Sequence, residues 1–163
     1  MKTIASTLVQ PRTDGFVGHC SLTALAAVAG SLALSWFVAA LWPSPGISST
    51  ASGWLGQPSP YLRLVIASAM ETAVLATLAD ILLRLRVSPF AGSVFLAVAF
   101  GGLSAALLGA TFFLQNAWVY FLAAAAYFSW QGRSEWHGAL AVGLPVLLVN
   151  LAGLALETVL GGA

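Results

Sequence analysis

Residues Leu22–Trp42 read LTALAAVAGSLALSWFVAALW, without one Asp, Glu, Lys or Arg. A helix crossing a hydrocarbon core about 30 Å thick needs about 20 consecutive, mainly apolar residues. This stretch meets that length and is apolar on every face, as a helix surrounded by lipid must be. The residues before it include Lys2, Pro11, Arg12 and Asp14. A cleaved signal peptide has a short apolar core with a small-residue cleavage site close behind, and this run is too long for that. The stretch is expected to be a retained first span. Residues 1–20 are then a cytoplasmic N-terminal segment, and 21–163 form a single transmembrane domain.

Composition agrees with that reading along the whole chain. Of the 163 residues 60% are apolar and only 7% are charged, with six basic and five acidic side chains and a net charge of +1. Soluble domains carry about 25% charged residues. So few charges exclude a basic nucleic-acid-binding surface, and such high hydrophobicity excludes disorder. The lone cysteine, Cys20, permits no internal disulfide and no multi-cysteine metal site. The two histidines, His19 and His137, precede separate apolar segments without the spacing of a metal or haem pair.

Working outward, about five transmembrane helices are expected. The first covers Ser21–Trp42 and stops at Pro43-Ser44-Pro45-Gly46. The second, Pro60–Arg84, has proline where a first helical turn accepts it. Val87-Ser88-Pro89 separates it from the third, Pro89–Leu114, and Gln115-Asn116 reads as a polar corner. The fourth, Ala117–Gln131, is short. The fifth, Trp136–Leu160, carries an internal Pro145, expected to kink it. Trp42 and Trp54 suit a membrane interface, and Trp118 and Trp130 lie near the ends of the fourth helix. The expected fold is therefore an all-α polytopic membrane bundle. Basic residues near span ends favour the cytoplasm. With the N-terminus inside, Lys2, Arg12, Arg84, Arg86 and Arg133 are all cytoplasmic and only Arg63 is outside. The expected protein is a multi-pass component of the cell membrane, N-terminus in and C-terminus out.

Within the spans, small residues four apart mark helix-packing faces: Gly101, Ala105 and Gly109 on the third helix, Ala26 and Gly30 on the first. Lipid supplies no hydrophobic drive between helices, so close backbone approach must supply the attraction. Two polar residues lie deep. Glu71 and Asn150 are each about halfway through a span, and a carboxyl group at that depth must face the bundle, pair, or be protonated. Asn150 can donate and accept, so the two are expected to meet. The pair is either one interhelical hydrogen bond or a site handling a substrate, proton or ion. Asp80 and Arg84, four apart in acid-before-base order, suit a helix-surface pair at the cytoplasmic end. Nine Phe and six Trp could line a pigment or quinone pocket, although such aromatics also serve packing and interface anchoring. The cofactor question stays open.

No hydrolase motif, metal-binding helix motif or phosphate-binding glycine loop is present. From residue 60 onward, however, the order of features is familiar. Met70-Glu71-Thr72 is followed by Phe100-Gly101-Gly102-Leu103-Ser104, the polar turn Gly132–Trp136, and Val146-Leu147-Leu148-Val149-Asn150. This order resembles the CPBP family of intramembrane proteases, linked to CAAX-protein processing and bacteriocin self-immunity. That family carries Glu-Glu-x-x-x-Arg, Phe-x-x-x-His and His-x-x-x-Asn. Here the second glutamate and the arginine are missing, and Ser104 and Val146 replace the two histidines. The resemblance implies a diverged, non-catalytic relative without the groups that activate water. Taken together, the sequence points to a non-enzymatic membrane subunit that packs against lipid and against other membrane proteins or itself. The alternatives are a small transporter or channel built on Glu71 and Asn150, and the diverged protease.

Overall fold

The computed structural model describes residues 15–41 and 60–160. All the described structure is helical: α1 (Phe16–Leu41), α2 (Pro60–Arg84), α3 (Pro89–Leu108), α4 (Phe112–Trp130) and α5 (Glu135–Leu160). Four of these, α1, α2, α3 and α5, are long and apolar enough to cross a membrane. The protein is an all-α, multi-pass membrane bundle. The expected interface tryptophans Trp42 and Trp54, and Lys2, Arg12 and Asp14, lie outside the described residues.

Local chemistry explains the boundaries. At the end of α2, Arg86 takes a left-handed φ of 58°. Its N–H donates to the Leu83 carbonyl and that of Val87 to Leu82, the paired bonds that close a helix C-terminus around a left-handed residue. Ser88 then caps α3, its hydroxyl accepting from the Ala91 N–H at 3.3 Å, with Pro89 in the first turn.

Two expected boundaries move. The first helix begins at Phe16, five positions before the expected Ser21. His19 and Cys20 are therefore helical rather than in a soluble approach to the span, and Cys20 is buried. The turn after α3 lies at Gly109–Thr111, not at Gln115-Asn116. Gly109 adopts φ 116°, ψ 153°, a conformation favoured by a residue without a Cβ, and its N–H closes the helix on the Ala105 carbonyl. Gln115 and Asn116 accordingly sit in the first two turns of α4.

The fourth helix is the centre of the bundle. It contacts α1, α2, α3 and α5 and runs antiparallel to α3: Gly92 lies against Phe128 and Gly101 against Ala117. The run Ala123–Ala126 defines no face in the sequence because it needs none. All four alanines are buried, together with Val119, Tyr120, Leu122, Tyr127 and Trp130. Being enclosed by neighbours, α4 can carry Gln115, Asn116 and two tyrosines and is not among the helices apolar enough to cross a membrane on their own composition. Large apolar side chains outside this core, such as Trp36, Val98 and Leu107, face outward, as a lipid-contacting surface requires. Pro145 is buried inside α5, which continues as one helix through it.

Candidate functional site

The bundle has two chemically different ends. At one, the C-termini of α2 and α4 meet the N-termini of α1 and α5. Asp80 accepts from the Arg84 Nε–H at 2.8 Å and from the Gln131 side-chain amide at 3.4 Å, tying α2 to the end of α4. Beside this tie, Trp130 is fully enclosed. Phe16 packs edge-on to it at 4.9 Å and the His19 ring lies 5.7 Å away. His137 stacks on it at 6.3 Å, and the Arg133 guanidinium sits 4.8 Å from its ring centre. The two histidines, far apart in sequence, thus converge on one indole. No group of three His, Cys, Asp or Glu side chains among the described residues has the arrangement of a metal site.

Toward the other end lies the polar site. Glu71 on α2 and Asn150 on α5 are each displaced by about 5 Å from the middle of their apolar windows, at 1.5 Å per residue, and toward the same end. They meet: the Asn150 side-chain amide donates to Ser68 Oγ at 2.9 Å and to Glu71 Oε2 at 3.5 Å. A third helix joins through Tyr120 on α4, which is 9% exposed and hydrogen-bonded to the Glu71 carboxyl group. Ionised, Glu71 accepts from both neighbours; protonated, it can donate as well. Its partners are neutral donors. The ion pair seen among the described residues, Arg84–Asp80, is at the opposite end.

Glu71 and Asn150 border a cleft of about 460 Å³ between α2, α4 and α5, roofed by the end of α3 at Leu108. Its walls are Leu64, Ala67, Phe112, Val149, Gly153 and Leu154, with Gln115 and Asn116 from α4. Gln115 is held from behind, its Oε1 accepting the Ser35 hydroxyl of α1 at 2.7 Å.

Ser68, Tyr120, Gln115 and Asn116 are site members that sequence reasoning missed. Ser68 carries a weak signal, three residues before Glu71 and so on the same helix face. Asn116 and Tyr120 are four apart, but the pattern is informative only once both are known to be helical.

The expected packing residues separate. Gly101 is buried against Ala117 and the Phe113 carbonyl of α4, and Ala105 is half-buried one turn on. Gly109 is exposed and forms the turn rather than a packing surface. On α1, Gly30 lies directly under the Trp118 indole, whose Nε1–H donates to the Ala26 carbonyl at 3.1 Å. Ala26 and Gly30 therefore receive a tryptophan, not a second small-residue helix face. Trp118 binds α1 to α4 as well as facing outward.

No family model matches the chain, and no curated protein or solved structure does.

Proposed function

We propose that the protein is a small, non-enzymatic membrane transporter or channel component whose working site is the cleft beside Glu71. The observation that carries this reading is the meeting of Glu71 and Asn150 at the wall of an open cleft of about 460 Å³, with Ser68 and Tyr120 bonded to them from beside it, so that three helices contribute. A lone structural hydrogen bond between transmembrane helices is worth about 0.6 kcal/mol and needs no cavity. Cavities of this size suit small-molecule guests, with a few polar groups set in apolar walls. The resemblance to the CPBP family is compatible with this reading: with Ser104 and Val146 in place of histidines, the groups left are ones that bind.

The Glu71 variants test it. In liposomes holding a pH-sensitive dye and an imposed pH or solute gradient, the protein should raise proton or solute flux above that of empty liposomes. Glu71→Gln should abolish that flux while the protein keeps its thermal stability, because an amide still accepts from Asn150 and Tyr120. Glu71→Leu should cost about 1–3 kcal/mol, since it strands the buried Tyr120 hydroxyl without an acceptor. Unchanged flux in Glu71→Gln would overturn the reading.

For orientation, we propose the N-terminus in the cytoplasm. Arg84, Arg86 and Arg133 all belong to the end where Gln131 meets Asp80, and basic residues favour the cytoplasmic side. Single cysteines introduced at Thr50 and Ser134 in a Cys20→Ser background should react with a membrane-impermeant maleimide from outside at Thr50 and not at Ser134. The opposite pattern reverses the topology.

Assembly with another membrane protein is a second reading with its own support. Between α2 and α5, Ala69, Ala73, Ala76, Ala139 and Gly143 leave a largely apolar groove of about 460 Å³. Small residues at such a surface let another helix backbone approach closely. The two readings are compatible: the groove and the polar cleft have separate linings, and Ser68, which lines the groove, accepts from Asn150 of the cleft between them.

A further inference from the structure

We propose that the guest of the Glu71 cleft is an organic ammonium: a small aliphatic amine in its charged form, or a quaternary ammonium group. This rests on the cleft being a solute site and goes further by naming the solute class.

Three features of the cleft converge on it. The first is the balance of free hydrogen-bonding groups. The Asn150 amide N–H₂ is used on Ser68 and Glu71, and Gln115 Oε1 is used on Ser35. What remains toward the cleft is mixed, the Gln115 and Asn116 amide N–H₂ groups with the Asn116 and Asn150 carbonyl oxygens, and the charge among the described lining residues comes from the Glu71 carboxyl group. Among the described residues no Lys, Arg or His lines the cleft. Such a site selects a donor that carries positive charge and rejects an anion, which would meet an unpaired carboxylate in a medium that screens poorly.

The second is size. A cavity of about 460 Å³ holds far more than a bare metal ion, since one water occupies about 30 Å³. A dehydrated inorganic cation also needs several converging oxygen ligands, and here the Glu71 carboxyl group and three side-chain amides are spread among apolar residues such as Leu64, Leu108, Val149 and Leu154. A guest with an apolar body and one charged end fits both parts.

The third is Phe112 in the wall. Ammonium groups are attracted to aromatic faces within about 6 Å, by an energy that corresponds to about two- to fivefold in affinity at an accessible site.

The ammonium can arrive as a free solute or as the headgroup of a phospholipid, and the chemistry recognised is the same. The test uses the full chain purified in phospholipid-free maltoside detergent, with binding followed by titration calorimetry and melting temperature. The probes are n-butylammonium, tetramethylammonium, sodium chloride, n-butanol and sodium butyrate. Expected are saturable binding of the two ammonium ions, none of butanol, butyrate or sodium, loss of binding in Glu71→Gln, and a two- to fivefold weaker affinity in Phe112→Leu. The Phe112 variant keeps the test decisive if the Glu71 variant does not fold. Repeating the titration in nanodiscs of phosphatidylglycerol alone or with phosphatidylethanolamine identifies the source. Competition by phosphatidylethanolamine means a headgroup; equal binding in both means a free solute. Sodium or butanol binding in a Glu71-dependent way, with no ammonium binding, would overturn the ammonium assignment and leave the cleft a solute site. No binding by any of the probes would overturn both.

Discussion

Gly101→Ala is expected to lower the thermal stability of the protein in detergent, and its neighbour Gly102→Ala is not. A Cβ added at Gly101 would lie 2.9 Å from the Ala117 Cβ, 3.1 Å from the Phe113 carbonyl oxygen and 3.2 Å from the Ala117 Cα. Two of these three atoms belong to backbone and the third is fixed to it, so no side chain can swing aside. Relief requires α3 and α4 to separate, and overpacking of that kind costs about 1–3 kcal/mol. At Gly102 an added Cβ meets nothing within 4 Å. There the substitution stabilises by up to about 1 kcal/mol through helix propensity. Thermal unfolding of the two variants side by side checks the result. Equal effects would mean that α3 and α4 are not held by this contact.

Trp130→Ala is the most damaging single substitution expected in the bundle, and Trp130→Phe is far milder. The indole is fully enclosed by Cys20, Ala126, Ala141 and Phe16, and truncating a buried tryptophan to alanine costs about 3–5 kcal/mol. The phenylalanine variant removes less volume. It also removes the Nε1–H, which is buried and lacks an acceptor in the structure. An unsatisfied buried donor carries a penalty of about 1–3 kcal/mol, so its loss offsets part of the lost packing. The net cost should stay below about 1.5 kcal/mol. Melting temperatures in detergent distinguish the two. A phenylalanine variant as unstable as the alanine one would show that the indole nitrogen has a partner.

These two positions also show where sequence reading stopped. Gly101 and Gly102 are adjacent and identical, and periodicity favours Gly101 only through its spacing to Ala105. The same spacing rule extended to Gly109, which the structure uses as a turn. Spacing is a property of one helix, and Gly109 lies where that helix has already ended. Trp118 and Trp130, placed by the sequence only near the ends of the fourth helix, fill specific positions against α1, one over Gly30 and one beside Cys20. His19 and His137 offered no common pattern, being more than a hundred positions apart. They come together because α1 and α5 both start beside the end of α4.

Sequence alone determined the helical class, the termini of α2, and the matched depth of Glu71 and Asn150. Each depends on local quantities: the length of an apolar run, the position of a proline, and the rise of a helix per residue. The tertiary structure decided which helix lies at the centre, which face of each turns inward, and which neutral groups join Glu71. In a soluble protein the alternation of polar and apolar residues announces the inner face. Here lipid and core are equally apolar, so a lipid-facing leucine and a buried one look alike in the sequence. Helix rotation is then set by contacts a few tenths of an ångström wide, Gly101 on Ala117 and Gly30 under Trp118. Those fits exist only between helices, and they bring Tyr120 and Asn150 to Glu71.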